Sequence, residues 1–310
     1  MKEAPLLAAA TVLALLLAIA LFYATFELPR LADELLRPYF PDVYAPWKPG
    51  AVEGAVAALR PYGYAALAVV ALLIALGLLG GRVRLAALGS VALYLPTFGY
   101  FAFAMFFLAG LGVLRALWIP IMDASPLALR LGDIAFLPFL LLKSSPGLHG
   151  LGTVAAVAFV AAGLLTFSSG AVTWLYGRFR GAELVDFWAY RFCRHPQYLG
   201  YILWSYGLTL FTLFKPYVRG ALATPPTAIW LLSTLIVVGV ALYEEERMAS
   251  SLGDRYEEYR RRTPFMVPLP RVVAELLALP KNPAAAPYHP SPGPGASRGR
   301  TKRHFPGGAI

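Results

Sequence analysis

Six apolar segments, each close in length to a membrane-spanning helix, recur along this 310-residue chain. The hydrocarbon core of a bilayer is about 30 Å thick, so a spanning helix needs roughly 20 apolar residues. Segments this apolar are unstable in water, which restricts the fold to one embedded in lipid. We therefore expect a spanning helix in each of the segments 5–26, 62–80, 85–114, 151–176, 198–214 and 227–243.

The composition agrees with an all-α, polytopic integral membrane protein. Hydrophobic residues make up 58% of the chain and charged residues only 14%, whereas soluble domains carry about 25% charged residues. The single cysteine, Cys193, excludes an internal disulfide. The four histidines are scattered and lack the spacing of a metal site. The predicted environment is a lipid bilayer, and no metal is expected.

Three features refine this assignment. Residues 5–26 follow a lysine, as in a signal peptide, but they are longer than a signal core of roughly 7–15 residues, so we expect a retained first span. Residues 134–142 are too short to span and contain Pro138, which indicates an interfacial or re-entrant piece. Pro96 predicts a kink within the third span.

The net charge of +10 indicates topology rather than nucleic-acid binding, because lysine and arginine collect on the cytoplasmic side of membrane proteins. Arginines are frequent after the sixth span, so the C-terminus is expected in the cytoplasm. Six spans then place the N-terminus there too, and loop 27–60 outside. We divide the chain into an N-terminal membrane region, 1–149, a core, 150–279, and a basic Pro/Gly-rich tail, 280–310, which is expected to be disordered.

Two polar clusters lie at the cytoplasmic ends of the last two predicted spans. An Arg-His-Pro segment beginning at Arg194 precedes the fifth span, and three glutamates beginning at Glu244 follow the sixth. A hairpin turn over 215–226 would bring them together. Pro196 suits the first position of a helix, whose free N–H groups favour an anionic ligand group. Three carboxylates at the end of a helix oppose its dipole and require a cation or a donor. The site is therefore suited to a ligand with an anionic and a cationic part.

Residues 183–268 carry an ordered series of motifs. They comprise a Leu-Val pair, a tyrosine, Arg-His-Pro-x-Tyr-x-Gly, a hairpin, a Glu-Glu pair, Gly-x-x-Tyr-x-x-Tyr and a basic-x-Pro ending. The residues concerned are Leu184, Val185, Tyr190, Arg194, His195, Pro196, Tyr198, Gly200, Glu244, Glu245, Gly253, Tyr256, Tyr259, Arg262 and Pro264. This series resembles the C-terminal core of the isoprenylcysteine carboxyl methyltransferase and phospholipid methyltransferase superfamily. The first 150 residues show no specific resemblance.

The resemblance implies an S-adenosylmethionine-dependent methyltransferase with its cofactor at the cytoplasmic membrane edge. It also implies a lipidic or prenylated methyl acceptor, which can enter sideways between helices. The residues implied to bind the cofactor are Leu184, Val185, Tyr190, His195, Pro196, Gln197, Tyr198 and Glu244. Those implied to act catalytically, by orienting an anionic group or assisting deprotonation, are Arg194, Glu245 and Arg262.

The chain departs from the family pattern at three places. The histidine before Leu-Val is here Ala182, and the Ser-Gly before the tyrosine is replaced by Trp188 and Ala189. The arginine that prenylcysteine enzymes use for substrate corresponds to Val240. This last departure argues against a prenylcysteine carboxylate as the acceptor. The residues alone leave carboxylate and amine acceptors open.

Two other functions stay open. Sterol and enone reductases share Arg-His-Pro-x-Tyr-x-Gly but usually place an acidic residue after that glycine, where this chain has Tyr201. An NADPH-dependent reductase therefore matches the motifs less well than a methyltransferase. A non-enzymatic membrane protein is the third reading. Against a transporter, no ionisable residue lies in the middle of a predicted span.

Overall fold

Every regular element in the described part of the chain is helical. The computed structural model describes residues 3–43, 50–101, 106–214 and 226–267. The predicted tail and the predicted hairpin turn, apart from its last residue, lie outside these ranges. The α-helices are α1 Glu3–Leu36, α2 Ala51–Leu79, α3 Val83–Tyr94, α4 Ile119–Ala124, α5 Leu137–Lys143, α6 His149–Phe179, α7 Ala189–Phe192, α8 Pro196–Phe214, α9 Thr227–Leu252 and α10 Asp254–Arg262. Short 3₁₀ helices cover Leu95–Phe101, Gly110–Trp118, Pro126–Arg130, Asp133–Phe136 and Pro146–Leu148.

Four helices in the described residues are long and apolar enough to cross a membrane. They are Ala4–Leu36, Ala51–Leu79, Gly150–Phe179 and Thr227–Leu252. A pair bent by 113°, Gly110–Ala124 with Pro126–Lys143, makes a fifth if it counts as one broken span. The second half of this pair contains the segment predicted to be interfacial or re-entrant. α8, which covers the predicted fifth span, is a continuous helix of 19 residues but is not among these candidates, so the count of six spans stays a prediction. The chain is therefore an all-helical protein with several apolar helices, as expected for a protein of the lipid bilayer.

The prediction of a single third span over residues 85–114 is wrong. α3 ends at Tyr94, and the 3₁₀ helix Leu95–Phe101 follows it directly. The cause is Pro96, which has no N–H to donate and whose ring clashes with the preceding helical turn. The α-helix ends at this proline instead of continuing through a kink, and the next described helix is the 3₁₀ segment Gly110–Trp118.

Glycines allow α6 and α8 to pack antiparallel at very short distance. A Cβ on Gly163 would lie 2.3 Å from the backbone nitrogen of Trp204, and one on Gly200 would lie 2.5 Å from that of Phe167. Small residues at such crossings let helix backbones approach closely in lipid, where packing replaces the hydrophobic effect as the driving force. This contact determines where the first turn of α8 lies.

Hydroxyl groups hold α9 against α3 and α8. Ser233 Oγ lies 2.8 Å from Ser90 Oγ and 3.0 Å from Tyr201 OH. The indole N–H of Trp230 donates to Ser205 Oγ at 3.2 Å. Hydrogen bonds between helices contribute to association inside membrane proteins. They keep α9 alongside α8, so that the C-terminal half of α9 reaches the start of α8.

Replacing Gly200 by alanine should destabilise the protein, because the new methyl group would overlap the backbone of α6. Overpacking of this kind costs about 1–3 kcal/mol, measurable as a lower midpoint of thermal unfolding in detergent. Gly239→Ala is the matched control, since a Cβ there would have Leu78 Cδ2 at 3.9 Å as its nearest neighbour. A Gly200→Ala protein as stable as the control would contradict the close packing of α6 and α8.

Candidate functional site

The carboxylate of Glu245 is buried against three basic side chains. Its Oε1 lies 3.0 Å from Arg194 Nε and 3.2 Å from His195 Nε2. The contact with Arg194 Nε is a charge contact, since the two atoms are not aligned for a hydrogen bond. Oε2 lies 3.6 Å from Arg260 Nε. We call these four residues the Glu245 cluster. The side chain of Glu245 is only 5% exposed, so its burial depends on the arginine cations beside it.

Glu244 has a different partner from Glu245. The hydroxyl of Tyr198 donates a hydrogen bond to Glu244 Oε1 at 2.8 Å. Successive residues of an α-helix are rotated by about 100°, which directs the two neighbouring carboxylates to different places. The ring of His195 stacks on that of Tyr198 with 5.5 Å between centroids. The two pairs therefore form adjoining parts of one contact between the start of α8 and α9.

The helix that carries the glutamates is longer than predicted. The predicted sixth span finishes at residue 243, but α9 continues to Leu252. Between residue 243 and Gly253 the chain contains no glycine or proline. The φ of 56° at Gly253 favours glycine and ends the helix there. The glutamates thus lie about two turns inside the helix, and the helix dipole acts mainly within the last turn. The predicted opposition between these carboxylates and the dipole is wrong, and the basic side chains of the cluster compensate Glu245 instead.

Backbone contacts hold the Arg-His pair in place. The hydroxyl of Tyr259 in α10 donates to the carbonyl of Tyr190 at 2.7 Å. The N–H of Arg194 donates to the carbonyl of Pro264 at 3.0 Å. The segment before α8 is therefore tied at two points to α10 and the residues after it. These ties explain how an irregular segment presents two side chains to Glu245.

Of the residues implied to bind the cofactor, Leu184 lies in a hydrophobic core. It is buried with Tyr256 and Tyr259 in a small cluster. Val185 lies against α6, where a Cβ on Gly177 would approach its side chain to 2.5 Å. Packing alone accounts for both residues.

Three other predicted residues lie around the Glu245 cluster without joining it. Pro196 and Gln197 pack against Gly170 of α6, which fixes the first turn of α8. Arg262 pairs with Asp186 at 2.5 Å near the surface, and both side chains are more than a third exposed. Within the described residues, Arg262 has no ion pair with Glu245.

A cleft of about 440 Å³ opens beside the cluster. This volume lies within the range of about 300–1,000 Å³ that ligand pockets occupy. One face of α9 forms most of it, and the lining residues are Leu242, Glu245, Glu246, Ala249, Ser250 and Arg260. Glu245 is the predicted site residue among them. It presents Oε2 to Arg260 and Oε1 to His195, so it stands between the cleft and the start of α8.

The phenols and the thiol near the cluster are protonated at neutral pH. Burial, with the negative charge of Glu245, raises the pKa of Tyr256 to about 12. Burial also raises the pKa of the Cys193 thiol to about 11. Burial and the charge of Glu244 raise the pKa of Tyr190. Each group can therefore donate a hydrogen bond, and none is available as an anionic base or nucleophile.

Sequence reasoning did not assign Arg260 and Tyr256 to the site. Tyr256 belongs to a family motif, and Arg260 is one of several arginines after the sixth span. The signal that identifies them is their spacing of four, which places both on one face of α10. That face is turned toward Glu245, which interacts with both.

Comparison with known proteins gives one partial match. The profile of a family described as a protein of unknown function, DUF1295, matches residues 179–263. That family is linked to steroid 5-alpha reductase-like membrane proteins. The match covers less than half of the chain and falls on the segment that contains both polar clusters. No curated protein and no solved structure matches the chain.

Glu245→Gln should destabilise the protein, because it leaves the mostly buried Arg194 without its carboxylate partner. Removing one member of a buried ion pair costs on the order of 3 kcal/mol, which thermal unfolding in detergent would detect. Glu246→Gln is the control: this neighbouring glutamate is exposed, and its change should stay within about 0.5 kcal/mol. Equal stability of the two variants would contradict the charge pairing of Glu245.

Proposed function

We propose that this protein is an integral membrane methyltransferase that uses S-adenosylmethionine to methylate a lipidic or membrane-embedded acceptor. The observation that carries the proposal is the contact between the start of α8 and the glutamates of α9. There His195 forms a hydrogen bond with Glu245, which lies 50 positions later in the sequence, and Tyr198 donates a hydrogen bond to Glu244. The resemblance implies His195, Tyr198 and Glu244 for the cofactor site and Glu245 for a catalytic role.

The polar groups at this contact suit the cofactor's parts. Its carboxylate matches the guanidinium of Arg194 together with the free N–H groups in the first turn of α8. Its ammonium group and ribose hydroxyls match the carboxylate of Glu244, which Tyr198 orients. The neighbouring cleft is large enough for a ligand of this class.

The residues of the Glu245 cluster act through position rather than proton transfer. When bound, the cofactor supplies an electrophilic methyl group, and catalysis then requires mainly proximity and orientation. Glu245 faces cations on both oxygens, so it is a positioning residue that holds Arg194 and His195. The predicted role of Glu245 in deprotonation is therefore not part of this proposal.

The cleft suggests how an acceptor reaches the site. Leu242, which is 54% exposed, and Ala249 form an apolar wall along α9 that leads toward the apolar part of this helix. A lipidic acceptor can follow this wall to Glu245 while the cofactor binds from the aqueous side. A carboxylate acceptor needs no base at pH 7, whereas an amine must first be neutral. Both acceptor classes belong to the proposal, and Val240 argues against prenylcysteine itself.

A membrane reductase that uses NADPH is the second candidate. The observation in its favour is the match to a family linked to steroid 5-alpha reductase-like proteins. The same polar contact between α8 and α9 would then hold a phosphorylated dinucleotide. The position after Gly200 carries Tyr201 instead of the acidic residue usual in reductases, which favours the methyltransferase.

Isothermal titration calorimetry on the purified protein should show binding of S-adenosylmethionine or its demethylated product, and none of NADPH. His195→Ala and Glu244→Gln should each weaken that binding about tenfold, because each removes a charge-assisted hydrogen bond near the cofactor. Arg255→Gln is the control, since Arg255 pairs with Glu183 at the exposed surface. Binding of NADPH alone would support the reductase, and unchanged affinity in both site variants would exclude the proposed pocket.

A labelled-methyl assay should identify the acceptor. Host membranes that contain the protein are incubated with S-adenosylmethionine carrying a radioactive methyl group and then separated into lipid and protein fractions. We expect label in the lipid fraction or on a lipidated protein, and less label with His195→Ala. Base-labile label indicates a methyl ester on a carboxylate, whereas base-stable label indicates an amine. Transfer no greater than in membranes without the protein would contradict the proposed activity.

A further inference from the structure

Arg115 is a fully buried arginine that the proposed site does not use. It lies in the 3₁₀ helix Gly110–Trp118, and none of its surface is exposed. Its guanidinium carbon is 4.1 Å from the centroid of the Tyr100 ring, and its Nη1 donates to the carbonyl of Phe107 at 2.6 Å. Arg115 lies one residue beyond the predicted third span, so its burial could not be predicted from the sequence. A charged side chain inside a membrane protein is a strong indication of function.

Two donors of Arg115 have no acceptor among the described residues. They are Nε and Nη2, which lie on the same edge of the planar guanidinium. Their N–H bonds are nearly parallel, and arginine binds carboxylates and phosphates bidentately through such a pair. We call this pair the Arg115 edge. Its geometry matches a group with two oxygens better than it matches a single carbonyl.

Among the described residues, no carboxylate forms an ion pair or a hydrogen bond with Arg115. Asp33 of α1 is close enough to interact with it electrostatically. However, Asp33 Oδ1 accepts the N–H of Leu111 at 2.9 Å, and Oδ2 pairs with Arg37. Two segments that the structure does not describe come soon after α1 and after Tyr100 in the sequence, residues 44–49 and 102–105. Neither contains Asp or Glu. The acceptor for the Arg115 edge is therefore not a side-chain carboxylate of these neighbours.

Small and polar residues border the Arg115 edge. A Cβ on Gly99 would lie only 2.9 Å from Nη2, so the backbone approaches this edge closely and any larger residue would crowd it. Thr97 is fully buried, and its Oγ1 has no hydrogen-bond partner in the described residues. A 3₁₀ helix has three residues per turn, so Thr97 and Tyr100 lie on the same face of Leu95–Phe101. Thr97 is thus a second buried polar group without a partner among the described residues, on the helix face that also carries Tyr100.

We propose that Arg115 and Thr97 form a binding site for an anionic group with two oxygens, a carboxylate or a phosphate. The guanidinium edge binds the two oxygens, and the hydroxyl of Thr97 donates a further hydrogen bond. The group belongs either to a small free anion or to the head of an amphiphile, whose chain would contact the aromatic residues around the site. This site is independent of the methyltransferase proposal.

The test is calorimetry on the full-length protein in a neutral detergent. The probes are acetate, inorganic phosphate, decanoate and, as an uncharged chain, decanol. The wild-type protein should bind at least one of the three anions and not decanol. Arg115→Lys retains the positive charge but removes the two parallel N–H donors of the Arg115 edge. It should therefore weaken anion binding at least about tenfold. Binding of acetate or phosphate identifies a free anion as ligand, and binding of decanoate alone identifies an amphiphile.

Arg60→Lys is the matched control, because Arg60 is an exposed arginine already paired with Asp123; its affinity should equal that of the wild type. Should Arg115→Lys fail to fold, Gly99→Ala and Thr97→Val test the same site with the guanidinium intact. The first crowds Nη2 and the second removes the hydroxyl, and each should weaken anion binding several-fold. Failure of all three anions to bind, or equal affinity in the wild type and the edge variants, would overturn the site.

Discussion

The buried carboxylate of Glu245 is the interaction on which the candidate site depends. Three segments that are distant in sequence meet at its two oxygens: the residues before α8, α9 itself, and α10 through Arg260. A carboxylate at this depth is stable only with cations beside it. The contact of Tyr198 with Glu244 follows from the same placement of α8 against α9.

Close helix packing provides the frame for this charge. Glycines bring the backbones of α6 and α8 together, and Gly170 leaves room for the first turn of α8. Ser233 joins α9 to α3 and α8 in the interior. A binding site built on helices that are held this closely is more rigid than one built on loops. This rigidity suits a reaction that depends on orientation, as the proposed methyl transfer does.

Arg194 and Arg115 illustrate two ways of burying an arginine. Arg194 faces a carboxylate of the chain, so its charge is neutralised within the fold. Arg115 has only a carbonyl and an aromatic face, and one edge of its guanidinium stays without an acceptor among the described residues. The first arrangement compensates the charge of the arginine within the chain. The second is complete only when a further group supplies the oxygens, which is why we assign a ligand to it.

The sequence by itself determined the helical class, the apolar segments expected in a lipid bilayer and the meeting of the two polar clusters. Apolar length and the connection of neighbouring helices are local properties of the chain. It also showed which residues surround the contact, but not how they pair. The end of α3 at Pro96, the extension of α9 to Leu252 and the burial of Arg115 required the structure. Only the tertiary structure decided that Glu245 meets Arg194 and His195 while Glu244 meets Tyr198. The physical reason is that partner choice depends on the rotation of each helix about its axis, which packing against neighbouring helices sets.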